Sequence, residues 1–269
     1  MYHEAKKRFG QNFLTDDLII DRIIASIRPQ KADELVEIGP GLGALTQHLL
    51  QKVSTLDMVE IDHDLIPVLQ KKFKHDHLTI HEADALKFDY STLAKEEKKL
   101  RVVGNLPYNI STPLLFHLIH YAIYIEDMHF MLQQEVVDRI CAKPGNKEYG
   151  RLSVMIQYYC QVEKLFTVSP EAFHPKPKVY SAIVRLKPWV KKPYEVSNIK
   201  LFEEIVLKAF SQRRKTLRNT LKNVVTPEQW QALNIDPQLR AEMLSVEDFV
   251  RITHLSDLHP HFVRMTPGA

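Results

Sequence analysis

Asn105, Leu106, Pro107 and Tyr108 are consecutive, and between them they carry two oxygen acceptors, a rigid backbone and an aromatic face. The Asn105 side-chain oxygen and the Leu106 carbonyl can each accept a hydrogen bond. Pro107 fixes its own φ and contributes no competing N–H. Tyr108 offers a ring on which a planar base can stack, an interaction worth roughly 1–3 kcal/mol. This set suits an exocyclic nucleobase amine such as that of adenine, a poor nucleophile because its lone pair is delocalised into the ring. Two acceptors holding its N–H groups favour a more pyramidal nitrogen, which could take a methyl group in line from a sulfonium. Such chemistry rests on positioning and charge stabilisation, and it asks for no metal or strong base. The same four residues also fit a turn carrying a packed tyrosine.

A second group of residues points to a nucleoside. The chain holds 8 glycines, and three of them form Gly39-Pro40-Gly41-Leu42-Gly43 between a strand-like and a helix-like segment. Glycine there lets backbone approach a ligand closely. The spacing departs from the G-x-G-x-x-G of dinucleotide sites, which leaves a nicotinamide oxidoreductase as an open alternative. Glu60 ends the next strand signal, where an acid can accept hydrogen bonds from ribose hydroxyls. Asp84 ends the third, where its carboxylate could meet an adenine amine. Plainer readings are a strand-end charge for Glu60 and a helix cap for Asp84.

The elements that must position these residues alternate along the first two-thirds of the chain. Strand signals at 34–39, 56–61, 78–81, 100–103, 128–132 and 182–186 are separated by helical patterns such as 42–52, 65–73, 113–121 and 152–159. That order implies βαβ units and a mainly parallel α/β sheet. Pro188 closes the last strand signal and 189–193 reads as a linker. The expected organisation is a Rossmann-like domain over 1–189 and a helical domain over 190–269. In the latter, Leu207, Phe210, Leu217, Leu221 and Val224 suggest one apolar stripe, with Arg214, Arg218 and Lys222 four residues apart on another face. Thr226 before Pro227-Glu228 marks a helix start.

Composition bounds the function classes. The formal net charge is +3, but acids are absent from 172–194, which holds Lys176 and Lys178, and from 205–227, which holds Arg213, Arg214, Lys215, Arg218 and Lys222. Acid-free basic stretches suit a polyanion, and they also suit a solvated helix face. No apolar run approaches the roughly 18–20 residues of a membrane span. Two cysteines without ligand spacing, and histidines without metal spacing, predict a cytoplasmic protein with no metal site.

Taken in order, Gly39–Gly43, Glu60, Asp84 and Asn105–Tyr108 resemble the motifs of the ribosomal RNA adenine N6,N6-dimethyltransferases. Phe9-Gly10-Gln11-Asn12-Phe13-Leu14 is similar to that family's N-terminal cofactor motif, and Phe173–Ser181 to a later one. The resemblance spans about residues 6–255. It implies a Rossmann-like methyltransferase sheet with a small C-terminal helical domain, using S-adenosyl-L-methionine. It assigns Asn12, Leu14, Gly39, Gly41, Glu60, Asp84 and Asn105 to the cofactor, and Asn105–Tyr108 with Phe173 to the flipped target base. Segments 149–154 and 210–219 look like the small-subunit branch rather than the large-subunit resistance branch. The implied substrate is a pair of adjacent adenines in a hairpin near the 3′ end of small-subunit rRNA. The implied partner is the immature 30S subunit, met by a monomer. A ribosome-assembly factor with incidental catalysis is the alternative from another class. Tyr180 departs from the family pattern, in which aspartate is common.

Overall fold

A computed structural model describes residues 11–95 and 98–258. Lys6, Lys7 and Arg8, expected to extend the basic surface, and the Phe9-Gly10 start of the N-terminal motif lie outside the described residues. The chain divides into two compact units. One comprises the described residues of Met1–Asp138 with Cys160–Pro188; the other comprises Arg139–Tyr159 with the described residues of Trp189–Ala269. A single cut after 189 therefore differs from the structure, because 139–159 folds with the C-terminal helices. Aromatic packing is the reason: Tyr149 meets Phe210 edge-on at 6.2 Å and Tyr158 lies 4.6 Å from Phe202, ring centroid to ring centroid.

The first unit runs β1 (Phe13–Leu14), α1 (Asp17–Ile27), β2 (Glu34–Ile38), α2 (Thr46–Leu49), β3 (Thr55–Glu60), α3 (Ile66–Lys72), β4 (Leu78–Glu82), β5 (Leu100–Asn105), α4 (Ser111–Ile119) and β6 (Ile125–Gln133). The chain leaves through α5 (Gln134–Cys141) and returns as β7 (Cys160–Val168), β8 (Phe173–His174) and β9 (Ser181–Pro188). The seven-stranded sheet has the order β4-β3-β2-β5-β6-β9-β7. Its first five strands are parallel, β9 runs antiparallel to them, and β7, antiparallel to β9, closes the edge. Strand order reverses between β2 and β5, and ligands of such sheets bind beyond the carboxyl ends at that point.

Local chemistry explains the flanking helices. Asp16 caps α1 by accepting from the Ile19 amide at 3.1 Å, and Ile20, Ile23 and Ile27 turn one face into the core. The helix expected over 42–52 is regular only at Thr46–Leu49, because Gly39, Gly41 and Gly43 all take positive φ and delay it. Strand β7 carried no clear sequence signal. Charged residues interrupt its apolar pattern, and Glu163 and Lys164, on opposite faces, pair with Arg185 and Asp138.

The second unit contains α6 (Arg151–Tyr159), α7 (Ile199–Ala209), α8 (Leu217–Thr220), α9 (Pro227–Leu233) and α10 (Val246–Leu258). Phe202 and Phe249 are fully buried in its core. Helix α9 starts as expected: Thr226 and Gln229 exchange hydrogen bonds in a capping box ahead of Pro227. The single stripe expected over 207–224 is broken. Helix α7 ends at Ala209, turns occupy 210–216, and Leu207 is 49% exposed. Arg214, Arg218 and Lys222 therefore lie on a turn, a short helix and a second turn, all exposed.

Candidate active site

At the sheet reversal a cavity of about 290 Å³ opens, lined by the end of β1, the glycine loop after β2, the ends of β3 and β4, and the segment after β5. Each residue assigned to the cofactor by resemblance lines it: Asn12, Leu14, Gly39, Gly41, Glu60, Asp84 and Asn105. Three carboxyl groups, Glu37, Glu60 and Asp84, line the cavity, and among the described residues no Lys, Arg or His does so.

The glycine loop is shaped by φ values of +63° at Gly39, +58° at Gly41 and +78° at Gly43, which L side chains rarely adopt. The three differ in what they face. A Cβ on Gly39 would stand 4.0 Å from the Pro107 ring, whereas one on Gly43 would stand 2.3 Å from Phe73. Gly39 thus brings β2 to the Asn105–Tyr108 turn, and Gly43 serves packing. Gly104 was missed in the sequence. A Cβ there would lie 2.5 Å from the Ile38 carbonyl, so only glycine lets the end of β5 press against β2 and set Asn105 in place.

Asn105 is held by a contact that decides which way its amide faces. Its Nδ2 donates to the Asn12 carbonyl at 3.0 Å. With the donor end so engaged, Oδ1 is the acceptor that remains for a ligand. Leu106 is buried and its amide donates to the Met131 carbonyl at 3.1 Å, fixing the turn to β6. The Tyr108 hydroxyl and Ser181 Oγ lie 2.7 Å apart, which anchors the half-buried ring to the start of β9. Burial holds the phenol above its ordinary pKa, so it stays neutral.

The N-terminal segment forms one wall. Gln11 Nε2 donates to Asp62 Oδ2 at 3.0 Å, the Thr15 amide donates to the Ala172 carbonyl at 2.9 Å, and β1 pairs with β8. That pairing corrects the expectation for Phe173. Opposite Leu14 in the β1–β8 pair, it is only 4% exposed and belongs to the hydrophobic cluster with Ile20 and Ile23. It offers no open face for stacking in this structure, and Tyr108 is the aromatic beside the turn.

Glu60 is 6% exposed, and its carboxylate accepts from the Asp62 amide at 2.8 Å and from the backbone of Gly41 and Ile61. Burial raises its pKa against these bonds. One Asp84 oxygen accepts from the Leu86 amide at 2.9 Å, a turn-capping role that leaves the second for a ligand. Glu37, also missed, is 2% exposed; Thr46 Oγ1 donates to it at 2.7 Å and burial pushes its pKa up to about 7.

Glu37 predicts a pH dependence. Between its ordinary value of 4.5 and about 7 the folded chain holds a proton that the unfolded chain has lost. Its contribution to stability is therefore complete below the lower value and declines as pH rises to the upper one. A neutral Glu37→Gln side chain removes that decline. Thermal melts should show the variant gaining on the parent from pH 5 to pH 8, by up to roughly 3 kcal/mol. A constant difference across that range would mean the carboxyl is ionised throughout.

The cations expected to meet RNA fall into two classes. Lys176 pairs with Glu171, and in the same stretch Arg185 pairs with Glu163 and Lys187 with Glu126, while Lys178 is exposed. Acids from neighbouring strands thus answer much of this stretch. In the second unit Arg213 donates to the Lys147 carbonyl. Among the described residues none of Arg213, Arg214, Lys215, Arg218 and Lys222 pairs with an acid.

The profile of the family described as ribosomal RNA adenine dimethylase matches residues 2–257. The chain belongs to this family. Among similar proteins, the Ribosomal RNA small subunit methyltransferase A of Marinomonas sp. (strain MWYL1) is 59% identical over 94% of this chain and 95% of its own. Its namesake from Pseudomonas aeruginosa is 54% identical over 94% of each chain. A crystal structure of a dimethyladenosine transferase from Plasmodium falciparum superposes with a TM-score of 0.75 at 26% identity, covering 89% of this chain and 95% of that one. The 23S rRNA methyltransferase ErmE, at 24% identity and a TM-score of 0.71, shares the fold over 91% of this chain and 100% of its own. Among the described residues no helix is long and apolar enough to cross a membrane.

Proposed function

We infer that this dimethylase transfers methyl groups from S-adenosyl-L-methionine to the N6 amines of two adjacent adenines in small-subunit rRNA, giving N6,N6-dimethyladenosine. The observation that carries the reading is the Asn105 amide, locked by Asn12 so that its oxygen is presented at the sheet reversal. Names borne by relatives more than 50% identical support the small subunit over the large one as the source of the substrate. A partner in the form of an immature 30S particle, met in the cytoplasm by a monomer, fits the same reading.

The lining residues fit the donor by charge. A sulfonium with an ammonium group matches Glu60 and Asp84, with no cation among the described lining residues, whereas the pyrophosphate of a nicotinamide dinucleotide would meet repulsion from them. When bound, the donor supplies an electrophilic methyl group. Glu60 takes the ribose hydroxyls with the lone pairs its amide donors leave, and Asp84 takes the adenine amine. Leu14 and Asn12 close the wall over the cavity. At the target, Asn105 Oδ1 and the Leu106 carbonyl accept from the N6 hydrogens, Pro107 keeps the turn rigid, and Tyr108 stacks on the base. The base must leave its helix or loop stack to reach these groups. The exposed cations Lys178, Arg213, Arg214, Lys215, Arg218 and Lys222 hold phosphates, with Lys176 once freed from Glu171, so binding weakens with salt.

A thermal-shift comparison tests the donor assignment. S-adenosylhomocysteine should raise the melting temperature and NAD should leave it unchanged. Stabilisation by NAD alone would replace the methyltransferase reading with the oxidoreductase one.

A further inference from the structure

The helical unit has a cavity of its own, about 860 Å³, between α8, α9 and the loop after Asn234. We propose that it is a binding pocket for one unstacked nucleotide of the RNA substrate, separate from the pocket that receives the methylated base. The proposal rests on the reading of the chain as an RNA-modifying enzyme and names a second place where that RNA is held.

Its lining sorts into the three parts a nucleotide needs. Arg218 and Lys222 stand at the side formed by α8 and the turn after it, both exposed and, among the described residues, neither paired with an acid. They offer a phosphate two positive charges. Pro227, exposed, and Pro237, half-buried, give the apolar surface against which a base can lie, over the edges of the buried Trp230 and Ile235. Gln231 and Asn234 contribute exposed side-chain amides with no hydrogen-bond partner among the described residues, and each amide carries both donors and an acceptor. Single-stranded RNA is read by this combination: a base stacked or packed on a flat apolar surface while its edge meets side-chain amides.

Charge and backbone both favour this occupant. Among the described lining residues Asp236 is the one acid; it spends an oxygen on the Gln238 amide at 2.8 Å, and with Arg218 and Lys222 these residues keep a net positive charge. Asn234 ends α9 in the left-handed region at φ +53°, a conformation asparagine tolerates better than most residues, and this places its amide at the cavity instead of along the helix. The volume lies within the range of small-molecule sites and exceeds what a lone phosphate needs.

The test uses the full chain and undermethylated small-subunit RNA. Gln231→Ala and Asn234→Gly remove the amides while keeping a helix former and the left-handed turn, so melting temperatures should hold. Together they should weaken RNA binding roughly tenfold with an unchanged salt dependence, the scale expected for a bidentate base contact. Arg218→Ala or Lys222→Ala should weaken binding and lower the salt slope by about one. Photo-crosslinking with 4-thiouridine-substituted RNA should label the peptide containing Trp230. If only the cation variants bind more weakly and no crosslink reaches that peptide, the cavity is a phosphate-facing surface and the nucleotide pocket is refuted. Unaltered binding by all four variants refutes it as well, and would leave the cavity to a protein. Methyl transfer by the parent chain, run in parallel, separates these outcomes from a failure of the enzymatic reading itself.

Discussion

Replacing Asn105 with alanine should lower methyl transfer about 100- to 1,000-fold, the scale on which loss of one preorganised polar contact at a reacting centre acts. The structure explains why the loss falls on the rate and spares donor affinity. Asn105 stands at the end of β5 with its amide nitrogen tied to Asn12, and among the described residues nothing donates to the oxygen it presents. Alanine removes that acceptor and the bond to Asn12, but the glycine loop, Glu60 and Asp84 hold their positions by bonds of their own. Binding of S-adenosylhomocysteine should therefore change less than threefold in a calorimetric titration while single-turnover transfer collapses. Equal losses in both would show that Asn105 holds the cavity wall and does not act on the target amine. The same variant separates catalysis from particle binding: retained affinity for small-subunit particles would mean that the basic surface works without the active site.

Replacing Arg101 with methionine should cost about 3–5 kcal/mol of folding stability, as expected when one partner leaves a buried ionic network. Arg101 lies near the start of β5, at the opposite end of the strand from Asn105. Its guanidinium grips Asp127 through Nε at 2.9 Å and Nη2 at 2.8 Å, reaches Asp33 at 2.6 Å, and donates to the Ile27 carbonyl at 2.6 Å. Both carboxylates are more than four-fifths buried, so without the cation they are left as uncompensated charge. Urea denaturation should show the full loss, while donor affinity per folded molecule stays at the parent's value. Lysine should recover only part, since it cannot form the two-pronged contact with Asp127. Adding Asp33→Asn and Asp127→Asn to Arg101→Met should recover most of the stability, because the penalty comes from stranded charge. A loss below about 1 kcal/mol for Arg101→Met would mean water reaches the network and the pair behaves as a surface salt bridge.

The parts of the site that could be read from sequence were those imposed by the backbone. Gly39, Gly41 and Gly43 stand out because positive φ is costly for other residues, and all three adopt it. Glu60 and Asp84 were legible because acids at the ends of consecutive strands converge once the sheet is parallel. Asn105–Tyr108 was legible as two acceptors beside a proline and an aromatic. Residues that act through tertiary packing were not. Glu37 reads as one polar letter in a buried strand, and only the fold shows Thr46 beside it and the cavity behind it. Phe173 matched a motif, but its burial follows from the pairing of β8 with β1, which lies about 160 residues earlier in the chain.

Periodicity misled where a pattern crossed a break in the chain. The apolar residues from Leu207 to Val224 keep roughly helical spacing, yet turns at 210–216 divide them between α7 and α8. The acid-free stretch beyond residue 171 looked free to meet a polyanion. Neighbouring strands supply Glu163 and Glu126, which no local reading of that stretch includes. Residues 139–159 precede the last two strands of the sheet, but Tyr149 and Tyr158 commit them to the helical unit.

The proposed role of the Asn105 oxygen is to present an adenine N6 amine for methylation in small-subunit RNA. Incubating undermethylated small subunits with the parent chain and S-adenosylmethionine, then mapping modified nucleosides by mass spectrometry, tests it directly. Two adjacent N6,N6-dimethyladenosines, absent when Asn105→Ala replaces the parent, are the predicted result. Methyl groups on another atom or another RNA, or an undiminished yield from the variant, would contradict it.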